Sequence, residues 1–442
     1  MRRCFYYVVL TALIALSANS LKAQFTIAND SAFTAGKPMS GRLWGLAFGD
    51  YYYKNHADAL SRGGNNQYTG IPKDRNAFQL RRIYLGYDFN FNKKFAAEFL
   101  LAAEDNFPAG NPPTSTTASG DELTNGKLSL YVKLADVRWK NIWKGTDLVL
   151  GQQLTPAFVM MTEKIWNYRS VERTMEDIRR TPAFDLGASL QGTFDPKTKN
   201  FGYDVMVGNG SSAKPESDNY KWFYGDVWGK FLDQKLIVDF YGDYNRYIWN
   251  PTLHLSRNMW KGMIAYSTDP ITVGVEGFLN NFKNGLQATR IDDGSTVLLN
   301  DQAKGYSVYV HGNIIKSKLC FFARFDHYIP INKVDNSVYS NYVMNSSLTA
   351  YNDNSYSSVS PVTAIGDETY KQNFITAGLD YMPIKNVHVI PNVWYNHYAT
   401  QLSDNVMENS NYYPNLTSDL ISRAKGDYDL VWRLTFVFNF GR

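Results

Sequence analysis

The chain has 442 residues, 15% of them aromatic and 19% charged, and its formal net charge is +4. This near balance excludes the strongly cationic surface that binds nucleic acid, so no nucleic-acid partner is expected. With only Cys4 and Cys320 the chain has no disulfide framework, and its stability must come from hydrogen-bonded strands and burial.

Residues 1–23 have the layout of a secretory signal peptide. Arg2 and Arg3 precede an apolar run over residues 5–16, and Ala23 offers a small residue before a cleavage site. This run is shorter than the ~20 residues that a membrane-spanning helix needs. We therefore predict that the segment is an export signal rather than a membrane anchor.

The mature chain divides into residues 24–40, a predicted periplasmic segment, and residues 41–442, a single predicted domain. Loss of the signal removes three basic residues and no acidic residue, which leaves a net charge of about +1. No stretch of the mature chain approaches ~18 consecutive apolar residues, so insertion into a membrane would have to use strands rather than helices.

About sixteen segments of this domain alternate between apolar and polar residues, which is typical of strands with one apolar face. In residues 78–91 the apolar face has Ile83, Leu85, Tyr87, Phe89 and Phe91, and the polar face has Arg82, Tyr84, Gly86, Asp88 and Asn90. In residues 428–440 the apolar face has Tyr428, Leu430, Trp432, Leu434, Phe436, Phe438 and Phe440. The same alternation places on polar faces Lys133, Asp185, Asp239, Asp243, Glu276, Arg324, Asp326, Asp380 and Arg433.

The connections between these segments alternate between short and long. The short ones are 92–93, 141–145, 195–199, 233–234, 268–270, 316–317 and 383–385, and most contain turn residues. The long ones are 55–76, 105–125, 155–183, 210–222, 246–257, 281–303, 329–370 and 399–427. Short periplasmic turns, long extracellular loops and an even strand number predict an all-β fold, a transmembrane antiparallel β-barrel of about 16 strands.

The alternative is a soluble sheet with one exposed polar face. Such a sheet would need a second layer over its many apolar faces, and the chain offers no amphipathic helices to supply one. The 31 Tyr, 26 Phe and 10 Trp residues instead suit the aromatic girdles of a membrane barrel.

The third long loop, residues 155–183, lacks glycine and is rich in charge. We expect it to contain a short helix over residues 162–178 and to fold into the lumen. The loop's candidate pore residues are Arg169, Glu172, Arg173, Arg179 and Arg180, which would narrow the pore and face passing solutes. An equally open interpretation is that these charges pair with one another and pin the loop to the barrel wall.

Two motifs resemble the phosphate-selective porin O/P family, in particular its Bacteroidetes-type members. They are Phe78-Gln79-Leu80-Arg81-Arg82-Ile83-Tyr84-Leu85-Gly86, similar to an early-strand double-arginine pattern, and Val171-Glu172-Arg173 in the third loop. The resemblance implies a sixteen-stranded, trimeric channel with an anion-favouring constriction to which Arg81 and Arg82 contribute. Strict alternation points only Arg82 inward, so we expect Arg81 at a rim or beside a loop.

These patterns predict a porin of the outer membrane of a Gram-negative bacterium. It would form a water-filled channel for passive diffusion of small hydrophilic solutes, with phosphate or other anions as candidates, and would assemble as a homotrimer in lipid. The candidate pore and constriction residues are Arg81, Arg82, Lys133, Arg169, Glu172, Arg173, Arg179, Arg180, Arg324 and Arg433.

Other functional classes stay open. A plugged barrel would act as a non-conducting surface protein that uses its long loops for adhesion or assembly, and a secreted carbohydrate-binding β protein would also be exported. An enzyme is not expected, and neither is a metal or another cofactor. The six histidines lack metal-ligand spacing, and no glycine-rich loop precedes a helix.

Overall fold

The alternating segments form long strands throughout the part of the chain that the structure describes. This computed structural model describes residues 40–63, 66–104, 123–124, 127–128, 130–159, 161–178, 182–216, 218–249, 251, 254–333, 335, 337–344, 370–401 and 418–441. The predicted signal peptide and residues 24–39 lie outside these ranges, whereas Ser40 begins the first strand.

Sixteen strands build the barrel. They are β1 Ser40–His56, β2 Asn76–Asn90, β3 Phe95–Glu104, β4 Tyr131–Trp143, β5 Thr146–Leu154, β6 Phe184–Thr193, β7 Phe201–Gly208, β8 Trp222–Phe231, β9 Leu236–Trp249, β10 His254–Ser267, β11 Ile271–Arg290, β12 Thr296–Ile315, β13 Leu319–Ile329, β14 Lys371–Ile384, β15 Val387–Ala399 and β16 Asp427–Phe440. The helices in the described ranges are α1 Thr162–Trp166, α2 Met175–Ile178 and α3 Ser418–Lys425. Within the described ranges, no helix is long and apolar enough to cross a membrane.

The sixteen strands form one closed antiparallel sheet. Each pairs with its neighbour in the chain, and β1 also pairs with β16, with Gly45 opposite Phe440. Closure satisfies the edges that an open sheet would leave exposed. A further strand, Tyr339–Met344, pairs with the outer part of β11, and Leu123–Thr124 pairs with Lys127–Leu128 in a separate small sheet.

The inside and the outside of the barrel differ in chemistry. Along β16, Trp432 and Leu434 are 53% and 43% exposed on the outer face, whereas Arg433 between them is 4% exposed on the inner face. Large apolar side chains such as Tyr87 and Phe240 are exposed on the outer face of other strands. An apolar outer wall around a polar interior is what lipid imposes on a barrel. The predicted transmembrane, sixteen-stranded antiparallel barrel is therefore confirmed.

The connections follow the two predicted classes with two exceptions. The predicted long loops 246–257 and 281–303 are wrong, because β9 reaches β10 through 250–253 and β11 reaches β12 through 291–295. The polar residues in these stretches extend the strands, and β11 and β12 each have 20 residues. Beyond the lipid, an outer face needs no apolar residues, so a strand can continue without the alternating pattern.

A β-bulge changes which residues of β2 point inward. Phe48 pairs with Arg82 and Gly49 pairs with Leu80, so Arg81 is an extra residue in this strand. An extra residue interrupts the alternation, and both arginines are 5% exposed on the inside of the barrel. Arg81 therefore points inward with Arg82, contrary to strict alternation, and it lies beside a loop as predicted, because it donates to the carbonyl of Ser170 in the third long loop.

A second bulge lies in β4. Leu100 pairs with Leu134 and Leu101 pairs with Val132, which makes Lys133 the extra residue. Lys133 and Leu134 are consecutive, and both are buried. The two bulges thus add two cationic side chains to one side of the interior.

Candidate functional site

The third loop, residues 155–183 and called L3 from here on, folds into the barrel and packs against its inner wall. Phe158, Trp166 and Val171 are at most 1% exposed. The ring of Trp166 lies 5.5 Å from that of Tyr309 and 6.2 Å from that of Phe322, which belong to β12 and β13. Burial of these large apolar side chains stabilises the loop inside the lumen. The predicted inward fold is confirmed.

L3 contains two short helices instead of the single one predicted over residues 162–178. The first, α1, ends at Trp166 because Asn167 adopts a left-handed conformation with φ of 62°. The N–H of Asn167 donates to the carbonyl of Glu163 over 2.9 Å. Asparagine tolerates this conformation better than most residues. The chain then presents residues 168–174 to the barrel wall before α2 begins.

Three wall arginines bind the backbone of residues 168–174, called the tip of L3 from here on. Arg81, Arg433 and Arg324 donate to the carbonyl oxygens of residues 170, 171 and 173, the last two over 2.9 and 2.6 Å. These arginines belong to β2, β16 and β13, so they approach the tip from several strands. Guanidinium groups have several donors in one plane and can bind a carbonyl and a carboxylate together.

Each of these arginines also has a polar partner on the wall. The pairs are Arg81 with Asp50 (2.5 Å), Arg324 with Asp326 (2.5 Å) and Arg433 with the side-chain oxygen of Asn392 (2.7 Å). The predicted pore residues on these strands are therefore engaged within the protein. Because each of them donates to a backbone carbonyl of L3, they act first as anchors of the loop.

Arg82 and Lys133 share one carboxylate. Arg82 lies 2.8 Å from Glu104, and Lys133 contacts the same oxygen. The hydroxyl of Tyr84 donates to Glu104 and accepts hydrogen bonds from both cations. All four side chains are buried. One carboxylate thus offsets two buried cations, which makes this cluster sensitive to loss of the acid.

Four of the seven charged residues that the structure describes in L3 pair within the loop. Arg169 contacts Glu163 and lies 2.8 Å from Asp177, and Arg173 lies 3.7 Å from Asp177. This arrangement supports the interpretation that the charges pair with one another and pin the loop. Opposite charges at this distance contribute little where water reaches them and more where it does not.

Glu172 accepts a hydrogen bond from the indole N–H of Trp394 over 2.6 Å, which ties the loop tip to β15. Arg179 and Arg180, two further predicted pore residues, lie outside the described residues. The structure thus brings Arg169, Glu172 and Arg173 to the inner wall together with the wall cations. Their role at a pore constriction stays a prediction.

Sequence reasoning missed Lys261 on β10 as an anchor for L3. Its ammonium lies 2.9 Å from Asp239 and donates to the carbonyl of Ala157 (2.7 Å) and the hydroxyl of Thr162 (2.8 Å). The side chain is 1% exposed. Apolar and polar faces alternate within residues 254–267, and Lys261 lies on the face that points away from the outward apolar residues. The alternation used for the other strands therefore also predicts that Lys261 points into the barrel.

Sequence reasoning also missed two acids, Asp204 and Asp226. They are directly paired residues on β7 and β8, and both are buried. Asp204 also lies directly opposite Gln191 on β6, and Asp239 on β9 is the polar neighbour of Asp226. Two carboxyl groups at directly paired positions of a sheet repel each other when both are ionised, so this pair favours a shared proton.

The first long loop, residues 57–75 and called L1 from here on, also enters the barrel. Tyr68 and Ile71 are at most 1% exposed, and Tyr68 donates a hydrogen bond to Asp50 over 2.7 Å. Lys54 donates to the carbonyl of Tyr68 over 2.8 Å. No pattern in the sequence singled out this loop, because its inward contacts depend on partners far along the chain.

L3 packs closely against the wall. A cavity between L3 and the wall, lined in part by Glu172, Asp326 and Trp394, has a volume of about 10 Å³, which is room for about one water molecule. A larger cavity of about 300 Å³ lies near the β2–β3 turn, lined by Arg42, Trp44, Asp88, Ala96, Ala97, Glu98, Asp136 and Arg138. Over the described ranges, no three His, Cys, Asp or Glu side chains are arranged to hold a metal ion.

Several solved structures share this fold. The chain is similar to the outer-membrane channel DcaP of Acinetobacter baumannii, with a TM-score of 0.54 and 13% identity over 92% of this chain and 98% of that chain. An anion-selective porin from Comamonas acidovorans gives a TM-score of 0.53 and 12% identity over 91% and 100% of the two chains. A loop-deletion mutant of OmpT, an outer membrane protein of Vibrio cholerae, gives 0.51 and 10% over 91% and 100%.

No protein-family model matches the sequence, and no curated protein matches it. The resemblance to the phosphate-selective porin O/P family therefore rests on the two short motifs alone. At identities of 10–13% the structural likeness establishes the fold. The chain has the closed sixteen-stranded barrel of the outer-membrane porins.

Proposed function

We propose that the chain forms a channel in the outer membrane of a Gram-negative bacterium for passive diffusion of small hydrophilic solutes, and that it has no enzymatic role. The observation that carries this proposal is the charged inner face of the closed barrel at the level of L3. Ionisable side chains at membrane depth are costly and typically mark a path for ions or solutes. The porin fold supports the same function.

L3 would set the size limit of the channel. It is attached to the wall by side-chain hydrogen bonds and apolar contacts, whereas the barrel strands are joined by continuous backbone ladders. Since side-chain contacts open at lower cost than a ladder, L3 is the part of the interior that can shift. Solutes would pass between L3 and the wall.

Single-channel recording in a planar bilayer tests this function. Purified protein, verified as folded by its heat-dependent mobility on a gel, should add discrete conductance steps. A folded barrel that never conducts would contradict the proposal.

One observation favours a second candidate function, that of a non-conducting surface protein. L1 and L3 both fill the interior with buried apolar side chains, among them Tyr68 and Phe158. In that case the long loops would serve adhesion or assembly. Deletion of the predicted loop 329–370 would then abolish partner binding and leave solute uptake unchanged.

Preference for phosphate or other anions stays a prediction from the double-arginine motif. A guanidinium selects phosphate when its donors can turn toward the solute. Arg81 and Arg82 instead contact Asp50 and Glu104. The reversal potential under a salt gradient, measured before and after phosphate is added, tests the preference. An anion-selective current that phosphate reduces would support it, and an unaffected, weakly selective current would mean a general porin.

A further inference from the structure

L1 and L3 approach each other inside the barrel, along the wall formed by β13, β14 and β15. The cavity of about 10 Å³ beside L3 is lined by Asn66 of L1, by Glu172 of L3 and by Trp394 of the wall. This volume has room for about one water molecule. A solute on this side of the interior can therefore pass only if the two loops move apart.

Arg81 on β2 binds both loops at once. One nitrogen of its guanidinium donates to the side-chain oxygen of Gln67 in L1 over 3.2 Å, and another donates to the carbonyl of Ser170 in L3. The second nitrogen also donates to Asp50 over 3.0 Å, and the hydroxyl of Tyr68 in L1 donates to the same carboxylate over 2.7 Å. Because the donors of a guanidinium lie in one rigid plane, a shift of one partner turns the plane and weakens the bonds to the others.

Trp394 and Arg433 contact both loops as well. The ring of Trp394 lies 5.3 Å from that of Tyr68 in L1, while its indole N–H donates to Glu172 in L3 over 2.6 Å. The guanidinium of Arg433 lies 5.4 Å from the centre of the Tyr68 ring, and one of its nitrogens donates to the carbonyl of Val171 in L3 over 2.9 Å. Tyr68, Trp394 and Arg433 are all buried. In a buried network of this kind, loss of one member weakens the contacts of the others.

The first part of L1 is held by a separate set of contacts. The buried Arg62 pairs with Asp58 at 2.8 Å and donates to the carbonyls of residues 424 and 423 in α3 over 2.8 and 3.1 Å. The N–H of Asp58 donates to Asp429 on β16 over 2.8 Å. These bonds do not involve L3. Residues 66–71, called the tip of L1 from here on, can therefore loosen while the first part of the loop stays in place.

We propose that the tips of L1 and L3 open as one gate, coupled by Arg81, Trp394 and Arg433, so that release of either tip loosens the other. This inference rests on the proposed diffusion function, since a gate requires a path. The three coupling side chains project from strands that are held by continuous ladders, so the wall stays in place while the tips move. Coupling between two sites is reciprocal, and its effect must be measurable from either loop.

Hydrogen exchange of single peptides in the folded protein tests the coupling. Tyr68→Ala removes the ring that contacts Trp394 and Arg433, together with the hydroxyl that binds Asp50. Exchange in the tip of L3 should become faster by about fivefold or more, which is the lower end for coupled sites. Exchange in the β9 peptide 236–244 should stay the same, which separates loosening of the loop from general unfolding.

The reciprocal variant is Glu172→Ala, which removes the hydrogen bond between L3 and Trp394. It should make exchange in the tip of L1 faster. The matched control is Tyr53→Ala. Tyr53 also donates to L1, through Asp74 over 2.8 Å, but it lies on the outer side of β1, between the buried Tyr52 and Lys54. This control should leave exchange in the tip of L3 unchanged.

A further variant, Gln67→Ala, removes only one bond to Arg81 and serves if Tyr68→Ala does not fold. It should make exchange in the tip of L3 faster, to a smaller extent. In single-channel recordings Tyr68→Ala should conduct for a larger fraction of the time than the wild type.

Unchanged exchange in the tip of L3, or faster exchange with an unchanged current, overturns the joint gate, while a conducting wild type leaves the diffusion function standing. A folded barrel that conducts in neither the wild type nor the variants overturns the proposed function and the gate with it.

Discussion

At the scale of single residues, the inner-wall arginines connect distant parts of the chain. Arg433 illustrates this, because one nitrogen donates to the carbonyl of Val171 over 2.9 Å while another donates to Asn392 over 2.7 Å. Hydrogen bonds from a charged donor typically contribute about 1.5–3 kcal/mol each. Such residues stabilise the position of L3 more than its own short helices can.

We expect Arg433→Ala to loosen the tip of L3, because it removes both of these hydrogen bonds. Hydrogen exchange of a peptide spanning residues 168–174 should become faster, and the single-channel current should become noisier. Arg42→Ala deletes an arginine whose side chain is 59% exposed and should change neither quantity. Unchanged exchange in the Arg433 variant would argue against the anchoring role.

We expect Glu104→Gln to lower the free energy of unfolding by about 3–5 kcal/mol, because Arg82 and Lys133 then remain buried without a counter-charge. Urea-induced unfolding in lipid vesicles measures this change. Adding Lys133→Met should recover part of the loss. The control is Glu98→Gln, a half-buried acid on the same strand, and an equal loss in this control would mean that the effect is not specific to the buried cluster.

At the scale of elements, L3 is an insertion between two paired strands. Leu154 pairs with Phe184, and the N–H of Thr155 donates to the carbonyl of Ala183 over 3.1 Å. The two ends of the loop are therefore adjacent. A short connection can replace the loop without stretching the barrel.

We expect a variant in which a short Gly-Ser linker replaces residues 157–181 to fold and to conduct more strongly than the wild type. The barrel ladders do not pass through L3, so the strands keep their partners. Single-channel conductance measures the change, and heat-dependent gel mobility checks folding. The same conductance in the folded variant would mean that L3 does not narrow the path. L1 would then be the loop that narrows it.

At the scale of the whole molecule, the barrel has apolar side chains on most of its outer face and closes on itself through β1 and β16. The sixteen-stranded sheet thus has no free strand edge through which copies would pair, and within the membrane its outer wall is the surface for contacts between copies. Closed symmetric assemblies are the common outcome for such contacts. The homotrimer implied by the family resemblance stays a prediction.

Native mass spectrometry from mild detergent tests that prediction. We expect the main species to have three times the monomer mass, and mild heating in detergent should release folded monomers before the barrel unfolds. Monomers alone across a range of detergents and protein concentrations would contradict the trimer.

The sequence by itself determined the architecture. Alternation over residues 428–440, together with two classes of connection, was sufficient to predict a lipid-facing barrel, because lipid on one side imposes a period of two on each strand. The inward fold of L3 was predicted from its place as the third long loop, the loop that folds inward in many porins. Alternation misjudged the strands that continue beyond the lipid, as in residues 281–303, because this constraint ends there.

Only the tertiary structure decided which partners meet inside the barrel. The direction of Arg81 depends on an extra residue that is visible only when β2 is paired with β1. Arg433 and Val171 are 262 positions apart, and no local pattern connects them. Periodicity in a sequence specifies which face a side chain occupies. The partner of that side chain depends on register, bulges and closure of the sheet, which exist only once the strands have assembled.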